Sequence, residues 1–228
     1  MGRVWLFGLL ALITGNPLLA LALVLLLSGL GYGYLFGRFF QIPRAVDRWI
    51  AIRQLERAVR VNPHDAVAQA DLGRFLVEAG RPGRALAHLE AAHARAPEVP
   101  QTTYYLGAAR LGIGDTVGGR ALIEAALADD PKLGYGAPHL VLGSHYLDRG
   151  QPAEALLHLE RFASVHTASV EGGYKLARAA LATGDVARAR TALADAVRGY
   201  RAAPPFKRRE ERLWRLRVGW LSWHLRRR

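Results

Sequence analysis

The chain has 228 residues, 51% of them hydrophobic, no cysteine and a formal net charge of +12. That is enough for one elongated domain with additional segments, and the lack of cysteine excludes disulfides, thiolate metal sites, iron–sulfur ligation and cysteine nucleophiles. The charge maps as +4 over residues 1–65, a balance of fourteen basic and fourteen acidic side chains over 66–200, and +8 over 201–228, so the body is neutral and nucleic-acid binding is not expected of it.

Residues 1–40 read as a membrane anchor. No charged side chain occurs from Val4 to Gly37. A short apolar segment, residues 4–14, is closed by Thr14-Gly15-Asn16-Pro17. Pro17–Gly37 then supplies 21 residues, about 31 Å as a helix, enough to cross the hydrocarbon core. This predicts a transmembrane helix over about 17–37, with Pro17 in its first turn, where a missing N–H costs nothing. The run is too long for a cleaved signal peptide and is followed by Arg38, Arg44 and Arg48. Segment 4–14 is either interfacial or the first arm of a re-entrant hairpin. Both arrangements put the basic cluster, and everything after it, on the cytoplasmic side. Gly29, Gly33 and Gly37 share one helix face, a stripe suited to close packing against a second transmembrane helix, through self-association or a partner. Arginine far outnumbers lysine, and Ala, Gly and Leu are abundant. Such a composition fits a GC-rich bacterial genome and hence a bacterial inner (cytoplasmic) membrane.

From residue 66 a pattern repeats. Gly73, Gly107, Gly143 and Ala177 are each followed seven residues later by Gly80, Gly114, Gly150 and Gly184. Five residues further lie Ala85, Gly119, Ala155 and Ala189. The steps are 34, 36 and 34 residues, a period that signals stacked helix pairs. Counting position 1 at Ala66, Pro100, Gly136 and Val170, small residues fall at positions 8, 20 and 27, where paired helices cross. Glycine at 15 ends the first helix with positive φ. Pro97 and Pro131 at position 32 stop the second helix. Asp115 and Asp185 follow the position-15 glycines and help shape the turn.

These four units resemble the tetratricopeptide repeat (TPR) family over residues 66–199. The resemblance implies an all-α helical solenoid. Departures from the family pattern are the missing Trp at position 4, and Phe162 and Thr167 in place of the small residue and the proline of the third repeat, which predict looser packing there. Running the phase backwards puts Ala51, Leu55, Ala58 and Pro63 at positions 20, 24, 27 and 32. Residues 41–65 are thus expected to be a link around Gln41–Pro43 and a half-repeat helix, Ala45–Val61, that caps the solenoid next to the anchor.

After Pro204-Pro205 the segment 200–228 reads as a basic, Trp-rich C-terminal capping helix. Leu213, Leu216, Trp220 and Trp223 form one stripe. Trp214, Val218, Leu221 and Leu225 form another about 100° away. One stripe suffices to cover the last repeat. The second, together with Trp214, Trp220, Trp223 and Arg226, Arg227 and Arg228, suits a membrane surface.

Nucleotide-binding loops and HExxH are absent from the sequence, and the eight histidines are scattered. No cofactor, metal or catalytic residue is therefore expected. The TPR resemblance implies a concave partner-binding groove lined by first-helix residues, with Arg74, Tyr104, Tyr174 and Arg178 as anchors, because aromatic and arginine side chains dominate binding hot spots. The expectation is a non-enzymatic, membrane-anchored scaffold or adaptor that binds protein or peptide partners at the cytoplasmic face, in complex assembly or quality control. The alternative is a structural subunit of an envelope enzyme or secretion complex, docked through its transmembrane helix.

Overall fold

The computed structural model describes residues 9–27 and 44–226. Gly29, Gly33, Gly37, the link at 41–43, Arg227 and Arg228 lie outside the described residues. The chain divides into two units, Met1–Gln54 and Leu55–Arg228.

In the first unit, residues 9–14 are helical, and Gly15 at φ 62° breaks the run. Asn16 then caps the next helix: its Oδ1 accepts from the Leu18 and Leu19 N–H groups at 3.0 and 3.3 Å. That helix, α1 (Pro17–Leu27), has eleven residues, roughly 16 Å in length and about half of a hydrocarbon core. Among the described residues no helix is long and apolar enough to cross a membrane. The expected transmembrane helix over 17–37 is therefore not supported: the described helix ends at Leu27. Helix α2 (Arg44–Val61) follows and runs into the second unit.

The second unit is a stack of antiparallel helix pairs: α3 (Ala66–Glu78) with α4 (Pro82–Arg95), α5 (Pro100–Gly112) with α6 (Thr116–Asp129), α7 (Ala137–Asp148) with α8 (Pro152–Val165), and α9 (Val170–Ala182) with α10 (Val186–Ala202). Helix α11 (Pro205–Arg226) closes it. Local chemistry sets these bounds. Gly80, Gly114, Gly150 and Gly184 all have φ between 70° and 96°, the left-handed conformation that glycine adopts without Cβ strain. Asp65, Asp115, Ser169 and Asp185 are N-caps whose side chains accept from first-turn N–H groups. The two turn aspartates therefore start helices as well as shaping turns. Proline occupies the first turn of α4, α5, α7 and α8.

The small residues sit where helices cross. A Cβ on Gly73 would come within 2.4 Å of Leu89 Cγ, and one on Gly107 within 2.7 Å of the Gly119 carbonyl oxygen. Ala85, Ala126, Ala155, Ala177 and Ala189 are fully buried at the same register. The third repeat is not loosened by Phe162, contrary to expectation. Phe162 is buried, and its ring fills the space beside Gly172, where a Cβ would meet Phe162 Cε1 at 2.4 Å. A large residue on one repeat is matched by the absence of a side chain on the next. The two-residue insertion forms a short 3₁₀ turn (Leu133–Gly136) in which Gly134, Tyr135 and Gly136 all have positive φ.

The C-terminal end of α2 keeps the repeat register. Glu56, at position 25 of the half-unit, pairs with Arg84 at position 19 of the first repeat at 2.8 Å. Glu160 and Arg188 pair between the third and fourth repeats at the same two positions. Ala58, however, is exposed, whereas Ala92, Ala126 and Ala196 at the same repeat position are buried. Among the described residues it has no first helix to cross.

Candidate functional site

The inner face of the first helices carries a cleft of about 200 Å³ between the first and second repeats. Its floor is small and apolar, with Ala70, Ala92 and Ala96, and the exposed Val67 and Val99 edge it. Its rim is polar, with Asp71, Arg74, Gln101 and Tyr105. The Arg74 guanidinium is held between Asp71 at 3.2 Å and Glu78 at 3.6 Å, and lies 4.2 Å from the Phe75 ring centre. Two carboxylates already lie against it, so its charge is engaged within the rim. The Tyr105 hydroxyl donates to Glu78 Oε1 at 3.2 Å. Burial, and then the negative charge of Glu78, push the Tyr105 phenol up to about 12, so at neutral pH it remains a donor.

The four expected anchors separate in the structure. Arg74 is on the cleft rim. Tyr104 is buried at 7% exposure in a core cluster with Ile123 and Leu142, and burial raises its phenol pKa. It cannot serve as a surface anchor. The adjacent Tyr105, 100° round the helix, lines the cleft instead. Gln101 and Asp71 also face the cleft. Near the other end Arg178 is exposed, whereas Tyr174 is half-buried against Trp214 of α11, ring centres 5.7 Å apart. Tyr174 thus belongs to the cap contact.

A polar pair replaces the large residue of position 4 in two repeats. In the first, Gln69 Oε1 lies 2.6 Å from His88 Nδ1; in the third, at the same two positions, His139 Nδ1 lies 3.1 Å from His158 Nδ1. His158 also stacks on Tyr146 with ring centres 5.5 Å apart. Burial and the neighbouring His139 lower the His158 pKa to about 4, and burial and Arg161 lower that of His139. Among the described residues no three metal-ligating side chains converge.

Helix α11 resolves its two stripes. Val218, Leu221 and Leu225 are buried in one cluster with Ala177, Ala189 and Leu193 of the fourth repeat. Full burial of such side chains contributes about 1.5–3 kcal/mol each. Glu211 is buried and accepts from the Val170 N–H at 3.4 Å, tying α11 to the start of α9. Trp214 packs with this face, between Tyr174, Lys175 and Arg217. It stays on the stripe of Val218, Leu221 and Leu225, which faces the repeats, so Trp214 is not among the membrane-facing residues expected from the sequence.

Stacked antiparallel helix pairs with an inward cleft and a closing helix define a helical-repeat recognition solenoid. The tetratricopeptide repeat model matches residues 50–87, 70–133 and 140–205, more than half of the chain, and the chain belongs to that family. Solved structures show the same fold. MamA superposes with a TM-score of 0.56 at 19% identity, covering 65% of this chain and 85% of that one. A thermophilic TPR protein of Thermus thermophilus gives 0.56 at 22% identity, covering 74% and 87%. YrrB, described as a TPR protein with an unusual peptide-binding site, gives 0.53 at 19% identity, covering 64% and 74%. Comparison with curated proteins gave no match.

Proposed function

We propose that this protein is a membrane-anchored TPR scaffold that holds a protein or peptide segment in its inner face and performs no chemistry on it. The observation that carries the binding role is the cleft between the first two repeats, whose apolar floor and polar rim of Asp71, Arg74, Gln101 and Tyr105 have room for one large apolar side chain with hydrogen bonds around it. The peptide-binding site named for YrrB supports the same use of the fold. The uncharged run Val4–Gly37 and the basic residues after it support anchoring in a bacterial inner membrane with the repeats in the cytoplasm. The half-repeat then serves as the N-terminal cap.

The test is crosslinking and mass spectrometry from native membranes with the parent chain and with Val67→Glu plus Tyr105→Ala. Val67 is exposed and Tyr105 packs on the edge of a core cluster, so the variant is first checked for a parent-like helical spectrum and melting curve. Loss of most recovered proteins supports the cleft. An unchanged set overturns it. A single membrane complex at fixed stoichiometry, insensitive to these changes, favours the subunit reading, with docking through Gly29, Gly33 and Gly37.

A further inference from the structure

The face of α11 that does not cap the repeats is apolar and exposed. Phe206, Leu213, Leu216 and Trp220 are 58%, 64%, 69% and 62% exposed, and Trp223 continues the line. Leu213, Leu216, Trp220 and Trp223, spaced three and four apart, form one seam on the C-terminal half of the 22-residue helix, with Phe206 on the same face and Arg209 between that residue and Leu213. Arg212, Arg217 and Arg226 flank that seam and are exposed. Glu211, one of only two acids in the segment, is turned inward to the Val170 N–H.

We propose that this seam docks on an anionic lipid surface. The face has the makeup of an interfacial helix: leucine and aromatic side chains that enter the acyl boundary, with arginines beside them at the head-group level. A second copy of the helix would set two segments of charge +8 against each other, whereas anionic head groups complement them. Because Val218, Leu221 and Leu225 already hold α11 in place, docking does not cost the coil-to-helix ordering of a free amphipathic peptide. The contact is independent of the N-terminal segment and of the cleft.

The chain has no cysteine, so Leu213→Cys in the full-length protein accepts one environment-sensitive dye on the seam. The protein is mixed with vesicles of phosphatidylcholine alone or with phosphatidylglycerol. A blue shift that requires phosphatidylglycerol, weakens with salt and is lost in Leu216→Glu plus Trp220→Glu is the expected result. Arg212→Gln plus Arg226→Gln leaves the apolar seam intact and should weaken the response about five-fold per arginine removed. Equal shifts on both vesicle types, or a shift that survives the two seam glutamates, overturn the proposal. So does a concentration-dependent shift without vesicles, which would indicate a second copy.

Discussion

His139 Nδ1 lies 3.1 Å from His158 Nδ1 across the third helix pair, so the contact holds only while at least one ring is neutral. Both folded pKa values lie below the ordinary 6.5: burial and then Arg161 lower that of His139, and burial, then His139 and Arg161, bring that of His158 to about 4. The unfolded chain therefore binds more protons than the folded one between pH 6.5 and about 4. Stability is fully present above pH 6.5 and declines as pH falls through that window. Melting temperature of the parent should drop over this range. His158→Phe should flatten the decline, leaving the parts due to carboxylates and to His88 and His145, whose pKa values burial also lowers. Parallel profiles for the two proteins would show that the pair does not titrate in this way.

Phe162 and Gly172 are complementary across a repeat boundary, with 2.4 Å between a would-be Cβ and the ring. Gly172→Ala should destabilise by about 1–3 kcal/mol through overpacking. Phe162→Leu should cost a comparable amount by leaving a void. Combined, the two changes should cost clearly less than their sum. Denaturant titration of the four proteins gives the coupling, and strict additivity would refute the complementarity.

Tyr135 has φ 52° and is 78% exposed, and Gly150 has φ 70° with open space around it. In opposite directions, these two sites test the same backbone cost. Gly150→Ala should lose about 1 kcal/mol, because its left-handed turn needs no Cβ. Tyr135→Gly should be neutral or stabilising by up to about 1 kcal/mol, the relief of strain being offset by greater freedom of the unfolded chain. Thermal or chemical unfolding of both variants reads the signs.

Trp214 and Trp220 are six residues apart on one helix and face opposite fates. Trp214→Ala should cost about 1–3 kcal/mol by uncovering Tyr174 and the last repeat. Trp220→Ala should stay within about 0.5 kcal/mol in the absence of lipid. Equal losses would mean that both stripes pack on the repeats.

Much of this architecture is legible in the linear chain. The glycines at the helix ends, the small residues at the crossings and the helix-stopping prolines act through steric rules that hold residue by residue, so their spacing suffices. Before Ala66 the register persists in the Glu56–Arg84 pair, although Ala58 is exposed where its counterparts in the repeats are buried. Which side chains line the cleft is less legible. A single 100° step separates Tyr104, buried in the core, from Tyr105, on the cleft rim, and adjacent identical residues carry no signal about which is which.

The sequence by itself determined the period, the helix limits, the segregation of charge to the two ends and the presence of two apolar stripes on the last helix. Tertiary structure alone decided which stripe is covered, where Phe162 finds room, and that His139 and His158 meet. Periodicity acts within one helix, through bonds and sterics between near neighbours. Which face is buried depends on the shape of the neighbouring helix, and that shape is set by side chains tens of residues away.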